Sequence, residues 1–271
     1  MSKIHLDKYY TPQSLADYCT KKTVEIIGID NVTELVESSA GQGVFLNSFD
    51  KFLPNTPYKA YDIEPEDDRI VKQNYLELET EYKIGRVVGF NFPYGKGNYL
   101  AVQFYKKSLE FGDYICSILP ISQLNNNMYM YEFDLIHSED LKPQKYSNVK
   151  VHCCFNIYKR NINGYNSKPN YDLKDITLKG VSTGVSRNDK VPEIYDFSIF
   201  GFGASVGKFC DYESQYCQQI YFNINNYKHK DKITNLIKNV KWKELYSMTA
   251  TPKLKHWQIL KYLKQQIPEI Q

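Results

Sequence analysis

Val87-Val88-Gly89-Phe90-Asn91-Phe92-Pro93-Tyr94-Gly95 reads as a short buried strand that ends abruptly in an amide, a proline and an aromatic ring. Branched apolar residues run up to Gly89, and Asn91 and Tyr94 then arrive where a parallel sheet presents its ligand-binding edge. Asn, Pro and Gly are also ordinary turn residues, so the stretch acquires a function only through what precedes and follows it.

Upstream, Thr33-Glu34-Leu35-Val36-Glu37-Ser38-Ser39-Ala40-Gly41-Gln42-Gly43-Val44-Phe45-Leu46 predicts a strand, a loop of small residues and a helix beginning near Val44. Small residues let a ligand approach the backbone, and amides at a helix start favour an electron-rich group. The dinucleotide pattern G-x-G-x-x-G is incomplete, because Leu46 holds the third glycine position, and no Lys-Ser/Thr pair marks a phosphate loop. Tyr58-Lys59-Ala60-Tyr61-Asp62-Ile63 predicts a second strand ending in an acid, about twenty residues on, a distance that suits a ribose. A third strand is expected over 69–73. Before all of these, Thr11-Pro12 predicts a helix entry with a capping hydroxyl, and Leu15, Ala16, Cys19, Val24 and Ile27 give that helix an apolar side ending near Gly28. Downstream, a helix is expected from about 100 to 109, then a fifth strand, Tyr114-Ile115-Cys116-Ser117-Ile118-Leu119-Pro120. Strands alternating with helices argue for an open α/β sheet.

Composition narrows the class. With 271 residues, 42% of them apolar, the chain can build one large domain or a domain with a smaller appendage. A net charge of +3 does not announce a nucleic-acid binder by its sum. The cysteines at 19, 116, 153, 154, 210 and 217 lack zinc-site spacing, so no metal is expected and reduced, buried thiols are. Met1 to His5 carry no apolar signal region, and no apolar run is long enough for a bilayer. The expectation is a soluble, cytoplasmic protein without membrane contact, a monomer or weak dimer.

In this order the segments resemble the S-adenosylmethionine-dependent N6-adenine methyltransferases, in the arrangement with cofactor motifs first and target recognition last. Tyr10-Thr11-Pro12 looks like the N-terminal cofactor motif. Glu37-Ser38-Ser39-Ala40-Gly41-Gln42-Gly43 is similar to the acidic-Pro-Ser-Ala-Gly-x-Gly loop, with Ser38 replacing proline. Asp62-Ile63 matches the ribose-binding acid and the apolar residue beside the cofactor's adenine. Asn74 falls where many members have an aspartate that contacts the target base, and the resemblance implies that Asn74 and Tyr75 line the cofactor site. Asn91-Phe92-Pro93-Tyr94 looks like the catalytic Asn-Pro-Pro-Tyr. Phe92 departs from the DNA enzymes, although related ribosomal-RNA enzymes carry Ile or Leu there. Residues 151–160 resemble the late strand that lends an aromatic to the target pocket; Tyr158 is the expected aromatic, with Phe155 of opposite parity facing the core. The likeness covers roughly the first 160 residues.

What the resemblance implies is a Rossmann-like class I methyltransferase sheet over 1–165 that binds S-adenosylmethionine, then a smaller mixed α+β target-recognition region over 166–271. Adenine's exocyclic amine is a poor nucleophile because its lone pair is delocalised into the ring. Two acceptors, Asn91 Oδ1 and the Phe92 carbonyl, would draw the nitrogen toward tetrahedral geometry and stabilise its developing positive charge. Tyr94 would stack on a base flipped out of the duplex.

Beyond Arg160 the texture turns polar, and the glycines and exposed-looking aromatics of 196–209 resemble a stretch seen in many target-recognition regions of this group; the alternative is a glycine-bulged hairpin with no partner. Lysines then gather at 228, 230, 232, 238, 241, 243, 253, 255, 261 and 264, with only Asp231 and Glu244 against them between 228 and 264. That local field suits phosphates, although charge runs also mark solvated helix faces. Arg187, Lys190 and Lys208 are expected to reach the target, and helices are expected over 231–239 and 256–266. The expected partner is DNA containing an adenine target, and analogy of type adds a cognate restriction endonuclease. The alternatives are an RNA adenine methyltransferase, a protein glutamine methyltransferase and a catalytically inactive nucleic-acid-binding module.

Overall fold

In a computed structural model, residues 10–146, 149–184, 187–210, 218–248 and 252–271 are described. The chain divides into two units, 1–169 and 170–271.

The first unit runs α1 (Gln13–Ile27), β1 (Glu34–Glu37), α2 (Val44–Phe52), β2 (Tyr58–Asp62), β3 (Val71–Lys72), β4 (Arg86–Asn91), α3 (Tyr99–Phe111), β5 (Tyr114–Pro120), β6 (Asp134–Tyr146) and β7 (Val149–Lys159). Its seven strands lie in the order β3-β2-β1-β4-β5-β7-β6. The first five are parallel, and β7 runs against both its neighbours.

Both faces of this sheet are covered, which is why β4 and β5 read as nearly unbroken apolar runs. On one face α1 (Leu15, Ala16, Cys19) and α2 (Phe45, Leu46, Phe49) pack on Leu35, Val87, Cys116 and Phe155. On the other, α3 (Ala101, Phe104, Tyr105) packs on Val36, Val88, Ile115 and Tyr158. The β6–β7 hairpin supplies the outer part of the sheet, and residues 134–146 had no counterpart in the sequence reading.

Helix α1 begins one residue later than its capping signal suggests. Pro12 occupies the N-cap position and no side chain caps the helix; the Thr11 hydroxyl is engaged elsewhere. At the other end Gly28 turns the chain with φ 84° and its N–H closes on the Val24 carbonyl.

The second unit runs β8 (Ile176–Gly184), β9 (Arg187–Asn188), β10 (Phe197–Phe200), β11 (Phe209–Cys210), β12 (Gln218–Ile224), α4 (Lys230–Asn239), α5 (Trp242–Leu245) and α6 (His256–Gln266). Its strands form a separate antiparallel sheet, β11-β10-β12-β8-β9. Ile199, Ile220, Phe222, Ile233, Ile237, Trp242, Ile259 and Leu263 make a core of its own. The stretch 196–209 forms the antiparallel pair β10 and β11, and its aromatics, expected to be exposed, mostly face inward. Phe197 stacks on Phe209 and Phe222, with centroids 4.8 and 4.5 Å away. Phe200 is buried, which leaves Phe202 as the exposed ring of that stretch.

Cys19, Cys116, Cys153 and Cys154 are free and buried, and Cys210 is buried; Cys217 lies outside the described residues. Among the described residues no helix is long and apolar enough to cross a membrane, and no His, Cys, Asp and Glu cluster is arranged to hold a metal ion.

Candidate active site

After β1 the chain moves outward to β2 and β3, then returns to place β4 on the other side of β1. Between those two strands the connections diverge, and the crevice at their carboxyl ends is where open α/β sheets bind ligands. The loops that meet there are Ser38–Gly43, after β1, and Asn91–Gly95, after β4.

Ser38 ties these loops together, its N–H and hydroxyl reaching the Gly89 carbonyl at 3.4 and 3.3 Å. A proline at 38 would lack that N–H, so serine has a local use at this position. The Ser39 hydroxyl donates to the Asn91 carbonyl at 2.7 Å. Asn91 Nδ2 donates to the Thr11 hydroxyl at 2.9 Å, and the Phe92 N–H reaches Ser117 Oγ at 3.3 Å. The turn bearing Asn91 is thus held by hydroxyls from three separate segments. Among the described residues no donor is bonded to Asn91 Oδ1 or to the Phe92 carbonyl.

The backbone entering this turn is unusual. Gly89 has φ 120° and Phe90 φ 82°, a conformation rare for a bulky residue. The Phe90 ring lies in the core, 5.2 Å from Phe45 and 4.7 Å from Phe49. Phe92 is buried too, against Phe104, and its ring edge closes on the space where a Cβ at Gly89 would stand. Its side chain therefore serves packing, which leaves the main chain to serve the site.

At the end of β2 the Asp62 carboxylate accepts the Gly41 N–H at 2.8 Å through one oxygen and the Glu64 N–H at 2.8 Å through the other. Ile63 beside it is 44% exposed, a large apolar side chain left open at the sheet edge. Ala40 is fixed to the Tyr61 carbonyl at 3.0 Å. Gly43, with φ 73°, starts α2 under the Asp67–Arg69 pair, which would be struck by any side chain there. Glu66 accepts from the Tyr10 hydroxyl at 2.6 Å and from Gln42 at 3.1 Å, holding the Tyr10 ring over Gly41.

Glu37 is 1% exposed. One of its oxygens accepts the Ser39 N–H at 3.2 Å, and the other has no partner. Burial, reinforced by the nearby Asp62 charge, pushes this carboxyl well above the usual carboxylate range.

Thr11, Pro12, Ser39, Asn91, Phe92 and Pro93 therefore come together with the Glu37–Gly43 loop, Tyr10 and Asp62. Three expected residues stand differently. Asn74 caps the short turn Tyr75–Glu77, accepting from Leu76 N–H and donating to Glu77, so both ends of its amide are committed. Tyr75 is buried, stacked on Phe104 and bonded to Ser108 at 2.6 Å. Tyr158, expected to face a target base, lies fully buried in the core against Tyr105, with its hydroxyl on Asn156 and Met130. The parity argument separated Phe155 from Tyr158 correctly, but both faces of β7 are covered. Tyr94 is half-buried on the α1 side, its hydroxyl 3.3 Å from Cys153 Sγ, and burial raises its phenol well above the usual range.

Sequence reasoning missed Ser117, Glu66 and Cys153. Ser117 had a signal: a lone hydroxyl inside a fully buried strand must find a partner. In the second unit Lys190 and Lys208 are exposed. Arg187 belongs to β9, and its side chain lies outside the described ones.

The order β3-β2-β1-β4-β5-β7-β6, with β7 alone reversed, decides the fold. This chain has the class I methyltransferase fold. It is accompanied by a separate C-terminal antiparallel sheet. No protein-family model matches the chain, and no curated protein does. Among solved structures it is similar to a "putative RNA methyltransferase" from Pyrococcus horikoshii, at 15% identity and TM-score 0.46 over 60% of this chain and 92% of that one. TrmN from Thermus thermophilus matches at 13% and 0.41, over 55% of this chain and 49% of TrmN. Magnesium protoporphyrin IX methyltransferase from Synechocystis, solved with bound S-adenosylmethionine, matches at 9% and 0.42, over 55% and 79%. At such identities and scores the likenesses say nothing of substrate, and the fold assignment rests on strand order.

Proposed function

We propose that this protein transfers a methyl group from S-adenosylmethionine to N6 of adenine in DNA, taking the base extruded from the duplex. The observation that carries this reading is the pair of unfilled acceptors at the edge of β4, Asn91 Oδ1 and the Phe92 carbonyl. Two acceptors side by side suit a group with two N–H bonds, which a primary amine has and a ring nitrogen or hydroxyl lacks.

The residues at the switch point fit the donor. Asp62 is positioned at the end of β2 to accept ribose hydroxyls, since each carboxylate oxygen has a second lone pair beyond its amide bond. Ile63 offers an apolar surface for an adenine ring. The orphaned buried oxygen of Glu37 suits a cationic partner such as the donor's ammonium group. Bound there, S-adenosylmethionine supplies an electrophilic methyl group. Asn91 and the Phe92 carbonyl hold the amine so that its lone pair faces that group, and as neutral acceptors they stabilise the positive charge that develops on nitrogen. Strong base is unnecessary, because the proton leaves a nitrogen already made acidic by methylation.

DNA is favoured over protein as substrate by the lysines of the C-terminal unit; RNA is the alternative that Phe92 keeps open. Radiolabelled methyl transfer to DNA, RNA and protein substrates separates the readings. Label should appear in DNA and fall by at least about 100-fold in Asn91→Ala, a loss typical of removing a preorganised transition-state contact. Label in RNA alone would overturn the DNA assignment, and donor binding without transfer would indicate an inactive module.

A further inference from the structure

Thr11 precedes α1 in the position of a capping residue, yet α1 has no side-chain cap. The hydroxyl is 6% exposed by residue and faces Asn91, whose Nδ2 lies 2.9 Å away. An amide side chain is planar, so fixing the nitrogen end on one partner fixes where the oxygen end points. With Nδ2 on Thr11, Oδ1 is the end left unfilled among the described residues. The main chain of Asn91 is held independently, by Ser39 at its carbonyl. Thr11 is thus the described partner of the amide group itself.

We propose that Thr11 is a positioning residue for Asn91: its buried hydroxyl accepts from Nδ2 and holds the plane of the amide, with Oδ1 left for the substrate amine at the sheet edge. This rests on the methyl-transfer reading above and assigns Thr11 a role through Asn91, where the sequence resemblance implied contact with the cofactor. A free amide rotates about its last torsion at little cost, and a bond to a buried, fixed hydroxyl restrains that rotation. The Thr11 hydroxyl fixes the amide plane before substrate arrives, at the expense of the helix cap. Small errors in the placement of a reacting group are enough to cost about 100-fold in rate.

The test compares Thr11→Val, which keeps the branched shape and loses the hydroxyl, with Thr11→Ser, which keeps the hydroxyl. Steady-state kinetics on DNA, calorimetric binding of S-adenosylmethionine and the NMR signals of the Asn91 side-chain NH2 are measured in the full chain. The signals are assigned by their loss in Asn91→Ala. Thr11→Val should lower kcat by about 10- to 100-fold, leave the KM and Kd for the donor within about twofold, and speed hydrogen exchange of the Asn91 NH2. Thr11→Ser should return all three toward the parent values. A raised donor Kd with unchanged kcat overturns the proposal and makes Thr11 a cofactor ligand, and an unchanged kcat and exchange rate also overturns it. If the parent protein methylates nothing, the functional reading fails separately and the NMR arm decides: faster exchange in Thr11→Val alone supports the positioning role, and equal exchange in both variants ends it.

Discussion

A buried carboxyl with one idle oxygen is a costly thing to keep, and Glu37 is such a group. Its folded pKa is raised by burial, the reverse of the usual carboxylate. The unfolded chain therefore releases this proton at lower pH than the folded one does. Stability is complete below the unfolded value of about 4.3 and is lost as pH rises toward the folded value, at about 1.4 kcal/mol per pH unit. Glu37→Gln removes that dependence. The variant should melt at a higher temperature than the parent, by a margin that widens with pH, while binding S-adenosylmethionine more weakly. Thermal melts across pH 5–9, run without donor, check the first half; a margin independent of pH would show that Glu37 does not hold its proton on folding. Donor titration checks the second half, and affinity in the parent should rise with pH as the carboxyl ionises.

At the scale of elements, the end of β4 concentrates what the fold must tolerate for the site to exist. Any Cβ at Gly89 would sit 2.5 Å from the Cys116 carbonyl and 3.0 Å from the Phe92 ring, at φ 120°. Backbone on one side and a buried ring on the other cannot yield cheaply. Gly89→Ala should cost about 1–3 kcal/mol from overpacking, with ~1–2 kcal/mol of backbone strain added. Urea denaturation reads the loss as a lower midpoint at unchanged slope, and an undiminished midpoint would mean that β4 can shift. The same strand shows why some elements were legible and others were not. The fifth strand could be read to the residue because burial on both faces makes its apolar run continuous, and α1 because its stripe and Gly28 agree. The start of α1 was misplaced because Thr11 gives its hydroxyl to Asn91, a partner distant in sequence that no local pattern encodes. Tyr158 was misassigned because strand parity tells which face a side chain takes, and not whether that face is covered. Asn74 looked like a ligand because a capping amide and a substrate-binding amide have the same local sequence. At β6 the alternation is broken by register shifts against β7, which erases the period that would have announced a strand.

On the scale of the whole molecule, charge is divided along the chain in a way the net value of +3 conceals. Up to residue 169 there are 19 Lys and Arg against 21 Asp and Glu, a balance of −2; from 170 onward there are 15 against 10, a balance of +5. Ion pairs engage Lys230, Lys232 and Lys241 with Asp196, Glu269 and Glu244, while Lys228, Lys238, Lys253 and Lys264 are exposed. Because the second unit has its own core of Ile, Phe, Trp and Leu side chains, residues 170–271 produced alone should fold and unfold cooperatively. If that unit is the one that grips the nucleic-acid backbone, it should bind duplex DNA without the catalytic unit, with log K falling linearly against log salt by about 0.9 for each phosphate neutralised. Changing Lys228, Lys238, Lys253 and Lys264 to Glu should weaken binding uniformly across sequences and flatten that slope, because phosphate contacts carry no sequence information. Residues 1–169 alone should bind far more weakly at low salt. A salt-independent affinity, or equal binding by the two fragments, would remove the lysine-rich unit from nucleic-acid recognition and leave its sheet with some other partner to explain.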